Sequence, residues 1–286
     1  MRLGITGGTG LVGRFIVRAA LSWGWHVHVL SRHRAGLVPG AQWHPYDLAD
    51  PAPRLPTGLD ALIHAAFDHQ PGRYRGGEGD DPAGFLRRNL DGSLRLFAAA
   101  RASGVARVLF LSSRAVFGGY PSGTSLSEDL PPHPDTLYGQ AKHMAEQGLA
   151  DLAAPGFAPI TLRATGVYGP SLGGGAHKWT DLFRAWHGGE TVAPRRGSEV
   201  HGADLADGVY RLLGAPAPPR IAHASDLLLD HRDLLTEAEH IAGPHGPLPD
   251  RTTGKVSLLE CAALTRLGWR PGGMGLLHRD LPGMLA

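Results

Sequence analysis

The sequence predicts an α/β fold in which a doubly wound parallel sheet carries a small C-terminal lobe. Three observations predict it. Short apolar runs alternate with helical stretches through residues 1–170, a glycine-rich turn separates the first run from the first helix, and the texture changes after Gly169-Pro170. Apolar runs without polar alternation mark strands covered on both faces, and strand–helix alternation marks parallel βαβ units.

In order, RLGIT (2–6) reads as a buried strand, residues 10–22 as a helix and HVHVLS (26–31) as a second strand. ALIHAA (61–66), RVLFLSS (107–113) and APITLRA (158–164) continue the strand series. Residues 83–103 and 136–152 have helical spacing and few breakers, and 68–82 reads as a loop. Beyond residue 170, SLGGGAHKW (171–179) is a glycine-rich loop and 214–219 is rich in proline. Short helices are expected at 231–242 and 257–267. Residues 1–170 are therefore read as the sheet domain, with 203–225 rejoining it, and 171–286 as the lobe.

Composition removes several classes of function. A chain of 286 residues with 42% hydrophobic content holds one large domain with room for an appendage. It has no apolar run of the ~18 residues that would suggest a membrane span. MRLGITGGTG has no signal-peptide pattern, and a single cysteine, Cys261, fits a reducing cytoplasm; a buried helical position is expected for it. A net charge of +2 without a basic run argues against nucleic acid. The 16 histidines are scattered without metal-ligand spacing, so no metal is expected.

Directly after the first strand comes Thr6-Gly7-Gly8-Thr9-Gly10-Leu11-Val12-Gly13. Glycines in this position allow a tight turn, close backbone approach to a pyrophosphate and close packing of helix on sheet. The helix N-terminus then offers free N–H groups and partial positive charge to the anion. Placed between strand and helix, the motif predicts a dinucleotide-binding Rossmann domain, with Gly7 to Gly13 as its phosphate cradle. NAD-binding folds usually hold the adenosine ribose with an acid about 20 residues on. This chain has no acid before Asp47, and its second strand ends in Ser31-Arg32-His33-Arg34. A hydroxyl and a guanidinium there, Ser31 and Arg32, suit the 2′-phosphate of NADP, with NAD as the alternative.

Tyr138 and Lys142, in YGQAK, lie four residues apart and share a face if helical. A nearby ammonium lowers the pKa of a phenol and equips it to move a proton at a substrate oxygen. Ser113, at a strand end, can orient the same oxygen. Together the three predict an oxidoreductase site serving a small-molecule substrate.

At this point the chain resembles the extended short-chain dehydrogenase/reductase family, also called the NAD-dependent epimerase/dehydratase family. The resemblance is carried by TGGTGLVG (6–13), YDL (46–48), LIHAA (62–66), NLDGSLRL (89–96) and LFLSSRAVFG (109–118). It continues in YGQAK (138–142), LRATGVYGP (162–170), VHGADLADG (200–208) and LGWRP (267–271). It implies a Rossmann domain with a C-terminal substrate lobe and catalytic roles for Ser113, Tyr138 and Lys142. It further implies that Asp47 and Leu48 lie against adenine. Ala65, Ala66, Asn89, Ser112, Ala164, Thr165 and Val167 would lie along the cofactor.

Departures from the pattern narrow the reaction. Dehydratases of the family carry an Asp-Glu pair where this chain has Arg114-Ala115, so dehydration is not expected. Nucleotide-sugar epimerases carry an arginine at the position of Gly197, here preceded by Arg195 and Arg196. The expected reaction is hydride transfer with NADPH on a sugar-like or small polar carbonyl compound. The alternatives are an epimerase with tightly bound NAD and a non-catalytic NAD(P) sensor; the intact Ser113, Tyr138 and Lys142 speak against the sensor. Leu86, Leu90, Leu94 and Phe97 form a stripe of the kind that pairs relatives into homodimers. Tyr74, His177 and Trp179 are candidate substrate contacts.

Overall fold

The computed structural model describes residues 1–69, 76–173 and 175–285. The first half runs β1 (Arg2–Thr6), α1 (Leu11–Ser22), β2 (His26–Ser31), β3 (Gln42–Pro45), β4 (Ala61–His64), α2 (Pro82–Leu86), α3 (Gly92–Ala102) and β5 (Arg107–Ser113). It continues with β6 (Ser125–Leu126), α4 (Leu137–Ala150), β7 (Ala158–Ala164), β8 (Gly166–Tyr168), α5 (Thr180–His187), β9 (Arg196–His201) and α6 (Gly202–Gly214). The remainder is β10 (Ile221–Ala224), β11 (Leu227–Asp230), α7 (His231–Ala242), β12 (Leu258–Leu259), α8 (Ala262–Arg266) and α9 (Gly273–Leu285).

The main sheet has seven strands in the order β10-β7-β5-β4-β1-β2-β3, every neighbouring pair parallel. Apolar side chains cover both of its faces, as the unbroken apolar strands require. On one face Ile16, Val17 and Ala20 of α1 meet Leu205, Val209 and Leu212 of α6, with Leu264 and Trp269 behind them. On the other, Leu96, Phe97 and Ala100 of α3 pack with Ala145 and Leu149 of α4. A third cluster, around Trp179, Phe183, Trp186, Leu234 and Leu277, lies outside the sheet. It accompanies a small sheet ordered β11-β9-β8.

Several boundaries differ from the sequence reading. The helix expected over 83–103 is interrupted by a wide π-type turn at Arg87–Asp91, between α2 and α3. The Asn89 amide donates to the Phe85 and Asp68 carbonyls at 3.1 and 2.7 Å, so the turn is widened around a side chain that holds another loop. The helix expected over 257–267 shrinks to α8, because Leu258–Leu259 pairs with β6 instead. Cys261 is half-buried and precedes α8, its thiol directed at the Ser225 carbonyl 3.5 Å away, and burial pushes its pKa up to about 12. Leu90 and Phe97 of the proposed stripe are core residues, with Leu94 packed against them.

Candidate active site

β1 is flanked by β2 on one side and β4 on the other, so the sheet order reverses at β1/β4. In open parallel sheets a crevice opens there, beyond the carboxyl ends of the strands. Gly7 occupies that point with φ +71°, and a Cβ on it would lie 2.7 Å from the Ala65 carbonyl carbon and the Ala66 nitrogen. A Cβ on Gly13 would overlap the Gly7 carbonyl. The Gly10 N–H donates to that carbonyl at 3.0 Å, and extended Gly10 begins α1 without any side-chain cap. The first-turn N–H groups of α1 therefore lack a side-chain acceptor of their own. Loop and helix end together fit the pyrophosphate of a dinucleotide.

Buried hydrogen bonds hold this loop against its neighbours. Thr6 Oγ1 lies 2.6 Å from His64 Nδ1, and His64 Nε2 lies 2.8 Å from Ser93 Oγ. The Ser93 hydroxyl donates to the Asn89 carbonyl, so its oxygen accepts from Nε2–H. Nδ1 then accepts from Thr6, whose oxygen accepts the Ala66 N–H at 3.2 Å. Burial, with the charge of Lys142 adding to it, pushes the His64 pKa down to about 3 and keeps the ring neutral. Asn89, expected along the cofactor, uses its amide to pin Asp68, whose N–H donates to Asn89 Oδ1 at 2.7 Å.

Other residues assigned to the cofactor fall in varied positions. Exposed Asp47 accepts the Ala49 N–H at 2.8 Å, and buried Leu48 offers its carbonyl to Arg95 at 3.1 Å. Ser31 is turned inward: its hydroxyl donates to the His33 carbonyl at 2.7 Å and accepts from Trp43 Nε1 at 3.2 Å. Arg32 is exposed beside it, and the Arg34 guanidinium stacks 5.5 Å from the Trp43 ring centroid. The Ser112 hydroxyl donates to Glu146, which also pairs with buried Arg163 at 2.7 Å. Strand alternation directs Ser112 and Ser113 to opposite faces, so only Ser113 faces the crevice. Ala164 and Thr165 line the same cleft as Ser113 and Tyr138, while Val167 packs against the core.

That cleft, of about 730 Å³, brings together Ser113, Tyr138, Ala164, Trp179, Arg195 and others. α4 starts where the Thr136 hydroxyl accepts the Gly139 N–H at 3.0 Å, which places Tyr138 in the first turn and Lys142 one turn on. The Ser113 hydroxyl lies near enough to the Tyr138 phenol to work against the effect of burial on its pKa. Lys142 is 4% exposed and donates to the Leu111 carbonyl at 2.8 Å. Its ammonium lies 4.3, 4.6 and 5.9 Å from the ring centroids of Phe67, Phe110 and Tyr138.

This arrangement corrects the expected electrostatics. Burial raises the Tyr138 pKa above its usual value, and only Ser113 opposes the rise. The Lys142 charge is held by a carbonyl and aromatic faces. Burial pushes its own pKa down to about 7, with the Glu146 charge working against the fall. At neutral pH the phenol keeps its proton.

Of the cleft's charged wall the sequence reading singles out Arg114, Arg195 and Arg196 but not Lys178 or Lys255. Arg114, Lys178, Arg195, Arg196 and Lys255 line it, and among the described residues no carboxylate does. His177 is a framework residue whose Nε2 lies 2.9 Å from the Met284 carbonyl. Tyr74 lies outside the described residues. Phe67, packed edge-on against Tyr138 at 4.9 Å, was also missed. Nothing in its sequence surroundings distinguishes it from a core residue.

The model of the NAD dependent epimerase/dehydratase family matches residues 3–223. UDP-glucose 4-epimerase of Lacticaseibacillus casei is 27% identical over 311 aligned positions, covering 95% of this chain and 92% of that protein. Uronate dehydrogenase of Pseudomonas syringae pv. tomato is 32% identical over 152 residues, 51% of each chain. Matches to other curated 4-epimerases span only 63% and 53% of those relatives' length. The Thermus thermophilus UDP-glucose 4-epimerase, solved with NAD, superposes with a TM-score of 0.80 at 25% identity, covering 99% of both chains. The chain belongs to the NAD-dependent epimerase/dehydratase family.

Proposed function

We propose that the protein is an NADPH-preferring reductase of a sugar-like or small polar carbonyl compound, with Ser113, Tyr138 and Lys142 as its catalytic residues. The observation that carries this reading is that Ser113 and Tyr138 line one cleft, with a phenol that burial keeps protonated. A nicotinamide dinucleotide held at the Gly7–Gly13 loop and the start of α1 would supply the hydride. Tyr138 gives its proton to the substrate oxygen, and Ser113 donates to the phenolate left behind. Lys142, fixed by Leu111, offsets the charge of that phenolate while it is itself protonated.

Preference for NADPH is supported by the absence of any acid before Asp47 and by exposed Arg32 and Arg34 after β2. With Ser31 turned inward, these arginines carry the 2′-phosphate contact. Titration with NADPH and NADH tests this directly: tighter NADPH binding is expected, and equal or tighter NADH binding refutes it. A screen of NADPH oxidation across sugars, sugar acids and small ketones tests the reaction. Turnover of at least one is expected, and none across the screen speaks against a reductase.

Near full-length similarity to a 4-epimerase favours a second reading, epimerisation with retained NAD. Denaturing the purified protein and identifying any released nucleotide separates the two. Stoichiometric NAD supports the epimerase, and an empty protein supports the reductase. A homodimer through α3 and α4 belongs to the same proposal, supported by exposed Met144 on α4 and tested by light scattering.

A further inference from the structure

Tyr138, Lys142 and Glu146 follow one another at four-residue intervals along α4 and so share a face of it. Lys142 and Glu146 are 4% and 6% exposed. The Glu146 carboxylate accepts from the Ser112 hydroxyl, from Arg163 Nε at 3.0 Å and from Arg163 Nη2 at 2.7 Å. His143 Nδ1 lies 3.8 Å from the same group. Burial works to raise the Glu146 pKa, but these partners outweigh it and hold the carboxyl below its usual range. Glu146 is therefore an anion at neutral pH, one helical turn from Lys142.

Folding gains little from a buried ion pair as such, since apolar side chains of similar volume often serve a core as well or better. Glu146 does two things that apolar side chains could not. It ties β5 to α4 through Ser112, the middle one of three consecutive residues engaged there. Leu111 accepts from Lys142 at 2.8 Å, Ser112 donates to Glu146, and Ser113 lines the cleft with Tyr138. Glu146 also supplies charge. The titratable groups around Lys142 are Tyr138 and Glu146 on α4 and His64 on β4. Behind Glu146 stand His143 of α4, Arg163 of β7 and His223 of β10. Tyr138 keeps its proton and His64 is neutral, so of these groups Glu146 is the anion. Its charge opposes the effect of burial on Lys142.

We propose that Glu146 is a positioning residue for the reaction at Tyr138: it fixes the end of β5 against α4 and holds Lys142 in its charged form. Arg163 and Ser112 act through it, Arg163 by keeping the carboxylate ionised and Ser112 by carrying the tether. The inference rests on the proposed function for the part Lys142 plays in turnover. The effect on Lys142 itself is read without turnover.

The chain has three lysines, Lys142, Lys178 and Lys255, so NMR can titrate each side chain separately. The full chain is isotopically labelled at the lysine Cε carbons, and the Lys142 signal is the one lost in Lys142→Met. In the native protein its midpoint is expected at about 7. Glu146→Gln should lower that midpoint by about 1 pH unit or more, the effect of removing one nearby opposite charge. Glu146→Asp, which keeps the charge, should restore most of it. If Glu146→Gln leaves Arg163 unpaired and fails to fold, Glu146→Gln/Arg163→Gln removes both buried charges and gives the same reading. A midpoint unchanged in the folded glutamine variant, or lowered as far by Glu146→Asp, overturns the proposal. Where NADPH is oxidised, the alkaline limb of the pH–rate profile should move to lower pH by the same amount, because Lys142 loses its proton earlier. A limb that stays in place also overturns the proposal. A midpoint that moves in a protein that never oxidises NADPH keeps the hold of Glu146 on Lys142 and loses the reductase.

Discussion

At the nucleotide end of the crevice, the main chain does most of the shaping. Gly7 and Gly13 let loop and helix touch, α1 begins uncapped, and the Thr6–His64–Ser93 hydrogen bonds fix the loop from below. At the substrate end, side chains do the shaping, and they come from segments far apart in sequence: Lys178 and Trp179 before α5, Arg195 and Arg196 at β9, Lys255 near β12. A dinucleotide makes the same demand on every chain that binds it, and backbone meets it. Substrates differ, and interchangeable side chains meet that difference. Tyr138 stands at the junction, on a helix whose start is set by Thr136.

The contrast is sharpest if each end can be damaged without the other. Tyr138→Phe should lower turnover by about 10²- to 10⁴-fold, the range of general acid catalysis. Calorimetry should find dinucleotide affinity unchanged; a matching loss of affinity would merge the two ends. Gly13→Ala should do the reverse, abolishing dinucleotide binding because its methyl meets the Gly7 carbonyl. The overlap should also cost about 1–3 kcal/mol of stability, read by urea denaturation. Thr6→Val removes the acceptor of the Ala66 N–H and the donor to His64, for about 1–3 kcal/mol by the same assay. An unchanged midpoint would mean that the hydrogen-bond chain does not hold the loop.

The smallest effect concerns pH. His64 and His223 are pushed down to about 3 and about 4 by burial, so the unfolded chain takes up protons near pH 6.5 while the fold does not. Their contribution is intact above about pH 6.5 and is lost progressively as pH falls towards 4. Lys142, held near 7, gives a further rise in stability between about pH 7 and 10. Lys142→Met should flatten that alkaline rise in melting temperature and leave the acid limb in place.

What was legible in the sequence follows the same division. The strand runs, the glycine turn and the Tyr138/Lys142 spacing are local patterns, and the fold placed them as their periodicity required. The electrostatics of Tyr138 were not local. They depend on burial and on a Leu111 carbonyl that holds Lys142 from another element. Asn89 and Ser31 were recognisable as polar residues in telling positions, but their partners, Asp68 and Trp43, were not. Lys178 and Glu199 lie 21 positions apart and meet only because Gly166 leaves space. No periodicity encodes such a pair.

Mass spectrometry of product formed with NADPH deuterated at the transferable nicotinamide C4 position is the most direct test of hydride transfer in this cleft. One deuterium on the carbon that gains the hydroxyl is the expected result, with the signal absent in Tyr138→Phe. Unlabelled product from the native protein would contradict it.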